Sequence, residues 1–271
     1  MIKNSSKKDK LLNKQFNKIN KIEEKILTKK ENGFIKNRLN PYKQKVEEKI
    51  PKKLQSTLEK AFEKGFKIVF QKGTSLIEKS YNKEKIKNEF DINNYGFDKQ
   101  TTKKNLKKID RNSQNKLILN KSISILEGGL LGILGIGLPD IPLFIGVILK
   151  TIYEICLGYG YNYDTNQEKA YILNIICAAV TTGDTQKRYL EEIDLIGSEI
   201  DNGIVKQYFL DDLTQQCSKY MASSMLTSKF IQGLPLIGII GGITNYKTIK
   251  DISNIAKIKY KKRYLNKIRN N

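Results

Sequence analysis

Apolar positions recur at helical spacing along this chain. Leu12, Phe16, Ile19, Ile22 and Ile26 stand three or four apart and form one narrow stripe on a basic helix, which suits docking on the rest of the protein better than lying on a lipid surface. Residues 1–10, before it, are polar and Lys-rich and read as a disordered tip. After the Asn32-Gly33 break, Ile50-Pro51 opens a helix in which Leu54, Leu58, Phe62, Phe66 and Phe70 recur every four residues. That face is bulky enough for a core. Gly73-Thr74 then introduce a short helix with Leu76, Ile77, Tyr81 and Ile86. Asp91–Asp98 (DINNYGFD) carries loop chemistry, and Thr101 or Thr102 caps a short Lys-rich helix reaching Ile109.

The pattern changes in the middle of the chain. From Gly128 to Leu149 a single formal charge, Asp140, occurs among 22 residues. An apolar helix from near Gln114 runs into Gly128, Gly129, Gly132, Gly135 and Gly137. Gly128 and Gly132 share a helix face, and small residues there admit a close neighbour. Leu138-Pro139-Asp140-Ile141-Pro142 breaks the run. Asp140 is placed to cap a second helix with Pro142 in its first turn, continuing through Ile152 and Cys156 to a stop at Gly158-Tyr159-Gly160. Asp164 and Glu168 mark the start of the next helix, apolar on nearly every side to Thr182 and therefore central. A helix with Leu190, Ile193 and Ile196 follows, then a long one with Val205, Phe209, Leu213, Cys217, Met221 and Met225. Phe230–Tyr246 is a second uncharged Gly/Pro segment, in which Gly238 and Gly242 repeat the small-residue spacing. A basic amphipathic helix with Ile249, Ile252, Ile255 and Ile258 closes the chain. No alternating strand pattern occurs. The expected fold is all-α: a single multi-helix domain of eight to ten helices, with Gly/Pro-rich apolar hairpins between basic N- and C-terminal helices.

Charge sharpens this picture. Residues 1–120 hold 32 Lys and Arg against 14 Asp and Glu, residues 121–246 hold 8 against 13, and residues 247–271 hold 9 against 1. A slightly acidic apolar middle thus sits between two basic arms, which points to an anionic partner. Nucleic acid is not the expected one, because the basic N-terminal arm has two arginines, Arg38 and Arg111, and no nucleic-acid-binding motif. An anionic membrane surface fits better.

Chemistry is mostly excluded. The chain has no His and no Trp, which removes His-based nucleophilic catalysis and His-ligated metals. Cys156, Cys177 and Cys217 lie apart in apolar runs and read as buried thiols of a reducing compartment. Neither glycine cluster ends in the Lys-Ser/Thr of a phosphate loop, and no GxGxxG is present. Asp164-x-Asn166-x-Glu168 lacks the Gly and distal Glu of a calcium loop. Asp140 and Glu154 are the carboxylates of the apolar hairpin, but capping and an i,i+4 pair of Glu154 with Lys150 account for them. No metal or cofactor is expected. The first residues carry charge without an apolar segment behind it, so no signal peptide and a cytoplasmic location are expected.

The segment from Glu127 to Leu173 resembles the signature region of the EcsC family of bacterial proteins. Its marks are the Gly128–Gly137 run, the Asp140-Ile141-Pro142 corner, Tyr159-Gly160, the acidic turn at Asp164, and Glu168 at the head of an apolar helix. The C-terminal segment is similar at Pro235, Gly238, Asn245-Tyr246, Ala256, Arg263 and Leu265, and the Ile50-Pro51 helix start also fits. Leu138-Pro139 stands where small residues are usual. The resemblance covers about residues 41–265, leaving 1–40 as a Lys-rich extension and 266–271 as a basic tail. It implies a role beside an ABC transporter in export or membrane processes, and implies no reaction, cofactor or catalytic residue.

The expectation is a non-enzymatic helical protein at the inner membrane face, peripheral to it and accessory to a membrane transporter or another protein partner. The alternatives are a soluble interaction module with buried Gly-rich seams, and an enzyme acting on a lipid-like substrate through Asp140 or Glu154. The candidate positions are Gly128, Gly129, Gly132, Asp140, Pro142, Glu154, Tyr159, Gly160, Asp164, Glu168, Pro235, Gly238, Asn245, Tyr246 and Arg263. Lys257, Lys259, Lys261, Lys262 and Arg263 are the expected headgroup-binding row.

Overall fold

Helices without enough apolar surface to stand alone must cover one another, and here they do so around a short apolar helix in the middle of the chain. The computed structural model describes residues 2–29, 50–113, 140–231 and 242–270. It holds α1 (Ile2–Lys29), α2 (Lys52–Ile68), a π-helical turn (Val69–Gly73), α3 (Thr74–Lys79), α4 (Lys83–Lys99) and α5 (Lys103–Asn112). Then come α6 (Asp140–Gly158), α7 (Asn166–Val180), α8 (Gly183–Asp201), α9 (Leu210–Ile231) and α10 (Gly242–Asn270). No strand occurs among the described residues. The expected Gly128, Gly129, Gly132, Pro235 and Gly238 seams lie outside those residues.

The all-round apolarity of α7 predicts burial, and every residue from Ala170 to Ala179 is buried. Its start is set by Thr165, whose hydroxyl accepts from the Glu168 N–H at 3.1 Å. Helices α8, α9 and α10 pack around it, while α6 lies between α10 and the α2 and α4 side. The segment Ile141–Gly158 of α6 is long and apolar enough, by length and composition, to cross a membrane; in the fold 78% of it is buried against other helices. It ends in a Schellman arrangement: the Tyr161 N–H donates to the Cys156 carbonyl and the Gly160 N–H to the Leu157 carbonyl. Gly160 has φ +79°, and a Cβ there would overlap the Phe90 ring, so both conformation and space require glycine.

The structure differs from the sequence expectations in four places. Helix α1 begins at Ile2, so residues 2–10 are helical and not a disordered tip. Asp91–Asp98 lies inside α4, and Ile86 belongs to the same helix. Tertiary contacts override its loop chemistry: Phe97 is buried, and the Tyr264 hydroxyl donates to Asn94 Oδ1 at 2.7 Å. Val205 and Phe209 precede α9 and are 92% and 68% exposed, because α8 ends at Asp201 and a turn through Gly203 separates the two helices. The fourth difference concerns the cations of α10. The three cysteines are free and buried, as expected.

Candidate functional site

The polar chemistry of this fold gathers along α10. Arg263, 5% exposed, is its centre. Its Nη1 donates to Glu168 Oε1 of α7 at 2.7 Å, and its Nε and Nη2 form a fork on Asp201 at the end of α8, the Nη2–Oδ1 distance being 2.6 Å. The guanidinium carbon stands 4.2 Å from the Tyr161 ring centre and 4.7 Å from that of Tyr171. Tyr260 completes the cage, donating to Glu168 Oε2 at 3.2 Å. Gly197 makes room for it, since a Cβ there would come within 3.0 Å of Arg263 Cδ and 3.1 Å of the Tyr171 ring. Burial raises the Glu168 carboxyl above its ordinary range, with Arg263 opposing the rise. Burial also pulls on Arg263, but its hydrogen bonds to Asp201 and the surrounding charges keep it firmly cationic. Arg263 holds two carboxylates, so it stays charged while Glu168 bears the desolvation. The cluster ties α7, α8 and α10 together.

A second ion cluster attaches α1. Lys259, 1% exposed, reaches Glu23 of α1 at 2.8 Å, Asp194 of α8 at 2.9 Å and the Leu190 carbonyl at 2.9 Å. Lys262 joins the same carboxylates, 2.6 Å from Asp194. Lys261 pairs with Asp110 of α5 at 2.8 Å, and the buried Tyr159 hydroxyl also donates to Asp110, at 3.1 Å. The expected row of headgroup-binding cations on α10 is therefore corrected. Lys259 and Arg263 point inward to carboxylates, and Lys261 and Lys262 are paired as well. A residue on a helix of this length is directed by its angular position, and these four fall on the sides that face α1, α5, α7 and α8.

Lys257 is the exception. It is half-buried, burial alone pulls its ammonium below the ordinary lysine value, and it pairs with no acid among the described residues. It lines a cleft of about 310 Å³ between α1, α5 and α10. Ile19, Leu106, Ile258 and Tyr159 contribute apolar wall, and Lys18, Lys103, Lys107, Lys257 and Lys261 bring five cations against one acid, Asp110.

The remaining candidates are dispersed. Pro142 sits in the first turn of α6, which Asp140 begins, and Asn245 lies in the first turn of α10. Glu154 pairs with Lys150 at 2.8 Å, as its spacing predicts, and is not among the described residues that line the cleft. Asp164 and Tyr246 are exposed. No group of three or more metal-ligating side chains occurs among the described residues.

Sequence reasoning missed Asp201, Asp194, Glu23 and Asp110, the acids that absorb the α10 cations. Two of them carry a signal. Asp201 ends a helix with no base in its last turn, an unfavourable place for an acid unless a cation comes from elsewhere. Glu23 follows Ile19 by four on the apolar stripe of an otherwise basic helix.

Two curated proteins of Bacillus subtilis (strain 168) are similar to this chain. Protein EcsC is 23% identical over 167 residues, 59% of this chain and 66% of that protein. The Uncharacterized protein YdbA is 25% identical over 137 residues, 46% of this chain and 45% of that one. The chain thus spans just under two thirds of the first relative and under half of the second. No solved structure matches it. The profile of the EcsC protein family matches residues 13–265, reaching back into α1 and including both Glu168 and Arg263. That match takes in nearly the whole chain, and the chain belongs to the EcsC protein family.

Proposed function

We propose that this chain is a non-enzymatic helical protein working at the cytoplasmic face of the membrane, held there by anionic headgroups and accessory to a membrane transporter. The observation that carries this reading is the set of cations left over after the internal ion pairs are made. Lys259, Lys261, Lys262 and Arg263 are taken up by carboxylates, whereas Lys18, Lys103, Lys107 and Lys257 around the cleft pair with no acid among the described residues. Cations beside apolar wall suit an interface that is anionic outside and apolar beneath; each lysine near such a surface contributes about 1 kcal/mol. Exposed Ile204, Val205 and Phe209 in the turn before α9 add apolar surface that an interface would cover. The accessory role rests on the family resemblance.

The test is co-sedimentation of the full chain with vesicles of graded anionic content, at low and high salt. Binding should rise with anionic lipid and weaken as salt screens it. Absence of binding at every composition would refute the membrane role.

A further inference from the structure

We infer that the cleft between α1, α5 and α10 seats the phosphomonoester headgroup of an anionic lipid, with the phosphate held among Lys18, Lys107 and Lys257. This rests on the membrane reading above and gives it a site.

Charge is the first argument. Asp110 is already paired with Lys261, so four lysines of the cleft remain without an acid partner among the described residues. A phosphomonoester carries about −1.5 to −2 at neutral pH, whereas a diester headgroup such as phosphatidylglycerol carries a single charge. The more highly charged group is the better complement.

Lys257 is the second argument. Its neighbours Lys259, Lys261, Lys262 and Arg263 each found a carboxylate, yet Lys257 is half-buried in the cleft wall with none among the described residues. Burying an ammonium without a partner is unfavourable, and an anion from outside the chain relieves it.

Size and lining give the third. At about 310 Å³ the cleft lies near the lower end of ligand sites, about 300–1,000 Å³, with room for a headgroup and not for acyl chains. Gln15, 6% exposed, adds an amide for hydrogen bonding, while Ile19, Leu106 and Ile258 offer apolar wall to the glycerol and first methylenes. Among the described residues that line the cleft there is no arginine and no stacking aromatic beyond Tyr159, which argues against nucleic acid.

The experiment uses the full chain and phosphatidylcholine vesicles doped with phosphatidic acid or, at matched surface charge, with phosphatidylglycerol. The K107Q/K257Q double variant is compared with K52Q/K60Q, which removes the same charge from exposed positions of α2. Matched thermal melts establish that all variants fold. The wild type should prefer phosphatidic acid, and K107Q/K257Q should lose about twenty-fivefold in affinity for it, each lysine counting for about fivefold, while K52Q/K60Q loses far less. Equal losses in the two variants would overturn the site and leave the membrane reading standing. No preference for phosphatidic acid would overturn the monoester assignment. Free glycerol 3-phosphate binding as tightly as the vesicles would overturn the lipid as its source. A wild type that binds no anionic vesicle would refute the membrane reading itself.

Discussion

Replacing Arg263 with methionine separates the charge of the buried cluster from its packing. Methionine keeps a long, flexible side chain between Tyr161 and Tyr171 but leaves Glu168, 4% exposed, with Tyr260 as its remaining hydrogen-bond donor to the carboxylate. Asp201, with 23% of its side chain exposed, is rehydrated more easily, so the penalty falls mainly on Glu168. Removing one member of a buried pair costs about 3–5 kcal/mol, and relief at Asp201 places R263M near the lower end, about 3 kcal/mol. At about 2–4 °C per kcal/mol for a chain of this size, the melting temperature should fall by about 6–12 °C. E168Q alone should cost less than about 1 kcal/mol, since a neutral amide still accepts from Arg263. The double variant E168Q/R263M should be more stable than R263M, because no charge is then stranded. The pH dependence gives an independent check. Glu168 has a folded pKa raised above 4.5, so the stability linked to its protonation is present below that value and lost as pH rises through the raised one. Without Arg263 the rise is larger, so the R263M deficit should shrink on acidification. Urea titrations at acidic and neutral pH measure all of these. An R263M loss below about 1 kcal/mol, or a double variant as unstable as the sum of the singles, would refute the reasoning.

Gly160→Ala should lower stability by at least about 2 kcal/mol, from the positive φ and the overlap with the Phe90 ring, with partial rescue by F90A; a neutral G160A would remove the account of this turn. Lys259→Met should cost about 2 kcal/mol and loosen α1, whose Glu23 would keep Lys262 as its cation, so limited proteolysis should cut within residues 2–29 faster than in the wild type; an unchanged cleavage rate would show that α1 is held by its apolar stripe alone. Glu78 gives a pH effect opposite to that of Glu168. Burial pushes its carboxyl up, but hydrogen bonds from Lys83 at 2.7 Å and Tyr163 at 2.6 Å bring it below 4.5. Stability from a depressed carboxyl is present above its ordinary value and lost as pH falls through the lowered one, so E78Q should flatten the acid limb of the stability curve, and an unaltered limb would refute this.

Much of the helical framework is legible from spacing alone. The four-residue rhythm of Leu58, Phe62 and Phe66 becomes buried core, Thr102 caps α5 by accepting from the Asn105 N–H at 3.2 Å, and the unbroken apolarity of α7 becomes its central place. Local signals suffice there because capping and amphipathic burial depend on residues within one or two turns. The same logic misreads Asp91–Asp98, where polar residues adopt a helix because Phe97 is buried and Tyr264 bonds Asn94 across the fold. Glu168 and Arg263 are recognisable as family positions, but their meeting, 95 residues apart, is not written in any local pattern.

What the sequence determines by itself is the all-α class, most of the helices, the basic arms and the absence of histidine chemistry, because composition and periodicity act locally. What the tertiary structure alone decides is which cations remain available. Lys257, Lys259, Lys261, Lys262 and Arg263 look alike along the chain, yet four are neutralised by acids on α1, α5, α7 and α8 while Lys257 meets none among the described residues. A charge is spent or free according to what stands within a few ångströms of it, and that is a property of packing between distant segments.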